Sequence, residues 1–412
     1  MRKTGYIILL LFIAGRAFAQ EKNLDYYISA AIQNSPLIKD YTNQKVLNGM
    51  DSLRILAGYK PQVTGLSTNS YAPAYHGYGY DNAITNGGQF SQLISVNKQL
   101  TGKKNLNNQL DALSLLNQSL EISGKISEQD LKKAVTAQYV TAYGTGQQLK
   151  FNEEVLALLW KEEALLKKMT EKGVYRQTDY LIFLTTLKQQ ELVNSQSRIQ
   201  LQNDYATLNY IAGIQDTVTV YLPTPALSPE IVADVSSTIY YRQFLTDSLK
   251  LRNSDALIDF SYKPKVNLYS DAGFATTFAN QAYKNWGLSV GVTLSVPIYD
   301  GHQRKIQHSK INIQEQTRQG YRDYFKTQAA QQLAQLYQQL NATRQLIRQT
   351  TDQLKYTAAL IEANRKLLTT GDVRMADYVL AISNHLTAKN MLTLNTVSEL
   401  QIINQINYWN GK

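Results

Sequence analysis

Two stretches of the sequence carry a glycine, an arginine, a carboxylate and a tyrosine at one shared spacing: Gly173-x-x-Arg176-x-x-Asp179-Tyr180 and Gly371-x-x-Arg374-x-x-Asp377-Tyr378. These residue types suit electrostatics rather than bond making. Each aspartate falls in the first turn of a predicted helix, where a carboxylate meets the positive end of the helix dipole for about 0.3–1 kcal/mol. Each arginine, one turn earlier, is placed to pair with that acid. Gathered by symmetry, the same acids make a ring that attracts cations and repels anions, and like charges at close range raise one another's pKa values. The residues alone leave both readings open. The glycines are expected to close the preceding helices in a left-handed conformation.

No enzyme site accompanies them. His76, His302, His308 and His385 lie far apart, none in a metal-binding spacing, and each is expected at the surface or in a loop. There is no G-x-S-x-G and no phosphate-binding loop. Cysteine is absent, which excludes a disulfide, a thiol nucleophile and an N-terminal lipid anchor. The sequence therefore predicts no catalysis, no metal and no cofactor.

The paired motif belongs to a larger duplication. Its two copies are offset by 198 residues, and LNYIAG ending at Gly213 matches INYWNG ending at Gly411 at the same offset. Gly102 matches Gly301, and Tyr59–Val63 matches Tyr262–Val266, in the same order. Such a long period indicates duplication of a whole structural unit rather than a solenoid. The expected divisions are a leader over 1–19, a first repeat over 20–213, a Pro-rich linker over 214–236 and a second repeat over 237–412.

The leader is read from Arg2 and Lys3, the apolar run Tyr6–Ala14 and the Ala17-Phe18-Ala19 cleavage site. No later run of about 18 apolar residues follows, so no transmembrane helix is predicted. The formal charge is +10, falling to +7 once the leader is removed, and it is interleaved along polar helices. That distribution gives a solvated surface rather than a nucleic-acid footprint.

Proline is missing between Ala74 and Leu222 and after Pro297, which permits very long helices. At about 1.5 Å per residue, Gly102 to Gly173 and Gly301 to Gly371 each reach roughly 105 Å. The shorter helical stretches 24–58, 174–211, 237–259 and 373–409 match that length only when stacked in pairs. Leu333, Leu340, Ile347, Leu354, Ile361 and Leu368 repeat every seven residues, the period of coiled-coil packing. The row three residues on, Leu336, Thr343, Thr350, Thr357 and Asn364, is mostly polar and is expected to be a wet flank.

Between the helices the period becomes two. Segments 61–73 and 87–100, and their counterparts 264–278 and 285–298, read as strands. In the last, Leu288, Val290, Val292, Leu294 and Val296 alternate with Ser289, Gly291, Thr293 and Ser295, at about the length of a membrane strand. Tyr71, Tyr75, Tyr78 and Tyr80 crowd the first hairpin and Phe274, Phe278, Tyr283 and Trp286 the second, as in the aromatic girdles at bilayer interfaces. Four strands cannot close a barrel, so copies of the chain must share one; three copies supply 12 strands, whereas two would supply eight and leave a lumen filled by side chains.

This layout resembles the TolC-like outer-membrane efflux proteins. The matching features are an exported chain, Asn34-Ser35-Pro36-Leu37 in the first helix, and a hairpin, long helix and short helix that all recur. Leu294–Gly301 (LSVPIYDG) and Gly371–Ala381 (GDVRMADYVLA) are similar to the family's pattern, and the resemblance covers residues 23–410. It implies a mixed α/β membrane protein. A homotrimer would share a 12-stranded antiparallel β-barrel in the outer membrane of a Gram-negative bacterium and carry a long α-helical periplasmic tunnel. It implies the channel of a tripartite efflux or type I secretion system, conducting passively. The implied partners are a periplasmic adaptor (membrane fusion) protein, an inner-membrane RND, ABC or MFS transporter, and outer-membrane lipid. Gly173, Arg176, Asp179, Gly371, Arg374 and Asp377 then fall at the periplasmic tips and aperture. The second acid of the family's second tip falls on Leu380, and its latch tyrosine on Leu368. The alternative is a periplasmic coiled-coil adaptor or scaffold, although adaptors carry a single hairpin.

Overall fold

The computed structural model describes residues 22–73, 75–80, 88–100, 102–216, 218–230 and 234–411. The leader expected over 1–19 lies outside them. Among the described residues seven α-helices and four strands follow in order: α1 Leu24–Asn34, α2 Pro36–Gly58, β1 Gln62–Tyr71, β2 Gly88–Leu100, α3 Lys103–Glu171, α4 Gln177–Ala212, α5 Ile239–Ser261, β3 Lys265–Thr276, β4 Trp286–Ser295, α6 Gln303–Thr370 and α7 Met375–Asn410. The proline-free stretches hold unbroken helices of 69 and 68 residues. The single helix expected over 24–58 is instead two. Ser35, before Pro36, is extended at φ −63°, ψ 118°, because the proline ring disfavours helical geometry in the residue before it. Residues 235–237 form a 3-10 turn across the boundary between the expected linker and the expected second repeat.

The chain divides into two compact units. The first comprises residues up to Ile38, Lys125–Thr238 and Lys326 onward. One of its cores joins α1, α3 and α4 through Leu24, Tyr27, Val135, Tyr139, Tyr205 and Leu208. Its buried phenols find partners, as buried hydroxyls must: the Tyr27 and Tyr205 hydroxyls lie 3.1 Å apart, and the Tyr139 hydroxyl donates to the Pro223 carbonyl at 2.8 Å. Asn34 donates through Nδ2 to the carbonyls of Ala212 and Gly213 (3.0 and 3.1 Å), satisfying the end of α4. A second core packs Leu333, Leu336 and Leu340 of α6 against Ile402, Ile403 and Ile406 of α7.

Helix α7 also lies along α3. Gln401 Nε2 donates to the Ala137 carbonyl at 2.8 Å, Asn404 Nδ2 to the Lys133 carbonyl at 2.9 Å, and the Tyr408 hydroxyl to Asp130 at 2.7 Å. Gly144 lets the two helices meet: a Cβ there would stand 2.3 Å from Val397 Cγ2. The row expected to be wet is partly dry, since Thr343 and Thr350 are buried while Ile347, Leu354 and Ile361 are only half-buried. A heptad fixes which residues share a stripe; neighbours brought from elsewhere in the chain decide how far the buried zone extends around it.

The second unit holds residues 39–124 and 239–325. Its four strands form one antiparallel sheet in the order β1-β2-β3-β4. The hairpin β1–β2 reverses beyond Tyr71 and Gly88, and β3–β4 beyond Thr276 and Trp286, so both aromatic-rich turns leave the same end of the sheet. Beneath its other end, α5 meets α6 through a charged cluster. His308 Nδ1 lies 2.6 Å from Asp255 Oδ1 and Nε2 lies 3.2 Å from Asp259 Oδ1, while Arg304 Nε donates to Asp259 Oδ1 at 3.1 Å. Only an imidazolium donates to both carboxylates at once.

Two of the four histidines therefore depart from the expected surface or loop setting. His308 bridges two helices, and His385 of α7 is half-buried, bonded through Nδ1 to Thr357 Oγ1 at 3.0 Å and tilted against Phe151. His76 and His302 do occupy exposed turns. The Asp255 carboxylate raises the His308 pKa above its ordinary 6.5. Its contribution to stability is complete below that value and is lost as pH rises through the higher folded value. His308→Gln is thus expected to speed amide hydrogen exchange near the C-terminal end of α5 in mildly acidic buffer, with the difference closing in alkaline buffer.

Candidate functional site

The two motif copies form the turns of two helix hairpins in the first unit. Helix α3 ends at Gly173, whose φ of +76° is left-handed. The Gly173 amide donates to the Thr170 carbonyl at 3.0 Å and the Val174 amide to the Met169 carbonyl at 2.9 Å, a Schellman termination. Helix α6 ends the same way: Gly371 has φ +81°, its amide donates to the Leu368 carbonyl at 3.4 Å, and the Asp372 amide donates to the Leu367 carbonyl at 3.1 Å.

The following helices open differently. Arg176 and Arg374 both occupy the extended N-cap position, where neither guanidinium can accept from the free amides. At the first turn, Asp179 Oδ2 accepts from the backbone N–H of Arg176 at 3.2 Å, half of a capping box. At the second, Arg374 forks onto Asp377, with Nε to Oδ2 at 2.8 Å and Nη2 to Oδ1 at 3.2 Å. The arginine–aspartate side-chain pair expected at both turns is thus present at the second, whereas at the first the carboxylate is held by the main chain. Both aspartates stand in the first helical turn.

The two turns pack on each other. The Tyr175 hydroxyl lies 3.3 Å from the Leu368 carbonyl and 3.2 Å from the Val373 carbonyl, so one phenol ties the first turn to both limbs of the second. A Cβ on Gly371 would stand 2.8 Å from Val174 Cγ1, whereas one on Gly173 meets nothing within 4 Å. Beneath them lies a core of Leu159, Leu166, Tyr175, Phe183, Leu368, Val373, Met375 and Tyr378. Leu368, where the resembled family places its latch tyrosine, is fully buried here, while Leu380 is exposed. Sequence reasoning passed over Tyr175. Its signal is that the matching position of the second copy is the apolar Val373 and that both are buried.

The motif tyrosines have diverged too. Tyr180 donates to Glu163 Oε1 at 2.6 Å, and that bond raises its pKa. Tyr378 is wholly buried with no hydrogen-bond partner for its hydroxyl among the described residues, and burial drives its pKa upward. Near it, Glu162 shares a helix face with Leu159 and Leu166 and is only 2% exposed. Burial raises the Glu162 pKa, with Arg365 opposing. Among the described residues no cluster of three or more histidines and acids is arranged to hold a metal ion, and no helix is long and apolar enough to cross a membrane.

A duplicated chain of long helix hairpins carrying one four-stranded antiparallel sheet is the fold of outer-membrane channel proteins. It superposes on CusC, whose crystal structures concern folding and transmembrane channel formation, with a TM-score of 0.77 at 14% identity over 95% of this chain and 93% of that one. The outer membrane protein VceC of Vibrio cholerae gives 0.75 at 12% identity, over 94% of this chain and 96% of VceC. The Campylobacter jejuni CmeC outer membrane channel gives 0.75 at 12% identity, over 95% and 86%. No protein-family model matches the sequence, and neither does any curated protein. The resemblance read from the sequence therefore holds at the level of the fold.

Two outcomes check this site. Placing a Cβ at a left-handed residue costs about 1–2 kcal/mol. Gly173→Ala should lose that much in thermal unfolding, and Gly371→Ala distinctly more because Val174 stands in the way. Glu162 has a raised folded-state pKa, so its ionisation weakens the fold as pH climbs above the ordinary 4.5. Glu162→Gln should therefore raise the unfolding temperature at neutral pH, and the gain should vanish below the ordinary glutamate range.

Proposed function

We propose that this protein is the outer-membrane channel-tunnel of a tripartite efflux or type I secretion system. The observation that carries the reading is the sheet. Among the described residues β1 and β4 each pair on one side only, leaving two long edges whose backbone groups have no strand partner. Leu288, Val290, Val292 and Leu294 line one face of β4 and are well exposed, Val290 at 75%. Unpaired flat edges invite pairing with another chain, and an exposed apolar face needs a non-aqueous medium. Three copies joined edge to edge give a closed 12-stranded barrel, which leaves no backbone group unpaired in lipid.

The solved channels that share the fold support this reading, as do the exposed aromatic side chains at one end of the sheet, Tyr71, Tyr75, Tyr78, Phe278, Tyr283 and Trp286 among them. In this reading residues 1–19 are the leader that exports the chain, and the barrel sits in the outer membrane of a Gram-negative cell. The two repeats supply paired helical walls of a periplasmic tunnel through which substrates pass passively. Gly173, Arg176, Asp179, Gly371, Arg374 and Asp377 stand at its periplasmic mouth, where a membrane fusion adaptor docks and links the channel to an inner-membrane RND, ABC or MFS transporter. The pairing of Asp377 with Arg374 favours a structural, helix-starting role for that acid over an uncompensated ring.

Membrane fractionation followed by mass measurement of the detergent-solubilised protein tests the proposal. The expected result is a trimer extracted only with detergent from the outer-membrane fraction. A monomer soluble without detergent would instead identify a periplasmic scaffold or adaptor.

A further inference from the structure

The register of the sheet sorts its residues onto two faces. Cross-strand partners share a face, so Leu288, Val290, Val292 and Leu294 of β4 lie with Ala272, Ser270, Leu268 and Val266 of β3, and these in turn with Ile94 and Val96 of β2. The opposite face is built mostly from Ser, Thr, Asn, Gln and Gly, with Leu66, Leu93 and Tyr269 as its larger members and Lys265 at its helical end. On β2, Ser95 of the polar face is 5% exposed while its neighbour Ile94 on the apolar face is 59% exposed. A closed membrane barrel turns its polar face toward the lumen and its apolar face toward lipid.

One acidic residue occurs in the four strands, and it stands on that polar face. Asp271 aligns with Ser95 of β2 and Ser289 of β4, and Ser95 aligns with Thr64 of β1, giving a hydroxyl–hydroxyl–carboxylate–hydroxyl row across the whole sheet. Ser95 Oγ donates to Asp271 Oδ1, and Ser289 Oγ lies 3.3 Å from Asp271 Oδ2. Both hydroxyls fix the carboxylate without neutralising it. Among the described residues no cation is a hydrogen-bond or ion-pair partner of it; the other charged strand residues are Lys98, on the apolar face, and Lys265, on the polar face but at the helical end of β3. On the polar face, the next position on β3 toward the aromatic end is Gly273, paired with Gly287. On the helical side comes Tyr269, whose ring lies so close over Gly291 that a Cβ there would stand 2.3 Å from Tyr269 Cζ. On β3 and β4 the carboxylate therefore lies between a pair of glycines on one side and the row of Tyr269 and Gly291 on the other.

We infer that Asp271 is the charge-selectivity determinant of the barrel lumen. Closing the barrel brings one Asp271 from each copy to the same height, forming a belt of carboxylates and hydroxyls that draws cations and turns back anions. The inference rests on the proposed trimeric channel and adds to it a second electrostatic station, separate from the acids of the helix-hairpin turns. It identifies the solutes the lumen favours by chemistry: cationic or neutral molecules rather than anionic ones.

The test uses the full-length trimer in planar bilayers under a tenfold potassium chloride gradient. The wild-type channel is expected to reverse toward the cation potential, and Asp271→Asn to lower the cation-to-anion permeability ratio by about two-fold or more, with the trimer intact on gels. Asp271→Lys should turn the preference toward anions. An unchanged ratio in an open, trimeric Asp271→Asn channel overturns the inference while leaving the channel assignment standing. Absence of trimers and of any conductance in the wild type overturns the channel assignment and the inference with it. If Asp271→Asn fails to assemble, Asp271→Ser is read in its place. Assembly lost in both and restored by Asp271→Glu would assign the residue to strand register alone, and the inference would be wrong.

Discussion

Reversal of a very long helix within a few residues is the constraint on which the first unit depends. A helix of 69 residues has no reason of its own to stop at Glu171, since Leu, Lys, Glu and Met are good helix formers. What stops it is a residue free to adopt positive φ, together with two carbonyls waiting for the amides beyond. The same device closes α3, α4 and α6 at Gly173, Gly213 and Gly371. Once the chain has turned, the returning helix lies antiparallel to its parent, and apolar stripes that are useless in isolation become cores. The contacts of Tyr175 with Leu368 and Val373 are possible only because both turns end at one level.

Duplication explains the order of the elements but not their present chemistry. The two turns share a backbone plan and diverge in side chains: a main-chain amide holds Asp179, a guanidinium holds Asp377, one tyrosine is bonded and the other sealed in. Equivalent positions in the sequence are therefore not equivalent sites. A buried hydroxyl without a partner among the described residues and a buried carboxylate whose desolvation outweighs the field of Arg365 lie close together. Both carry a desolvation cost. Polar strain of this kind marks a place whose packing is held by its surroundings rather than by its own preferences.

Much of the fold was legible in advance because its strongest signals are local. Missing prolines announced the long helices, a period of two announced the strands, and glycines marked the turns. The break at Ser35 was equally local, a residue before proline, yet the helical pattern on either side masked it. Burial of Thr343 and Thr350 was not legible, because threonine on a helix is silent until the facing helix is known. Tyr175 was missed for the same reason, its partners being carbonyls nearly two hundred residues away. Asp271 escaped notice because a single acid in a strand acquires meaning only when register places hydroxyls on both sides of it.

The seam between α3 and α7 relies on side-chain amides that donate to helix carbonyls, Gln401 to Ala137 and Asn404 to Lys133, and Asn407 continues the row by donating to the Ser228 carbonyl. None of these groups titrates between acid and alkali, and none carries a charge for salt to screen. These amide bonds should hold equally well in dilute and brackish surroundings, in contrast to the Tyr408–Asp130 bond beside them and the imidazolium clamp between α5 and α6. Two helices joined chiefly by neutral bonds keep their spacing as ionic strength changes, and response to the medium is left to the charged groups.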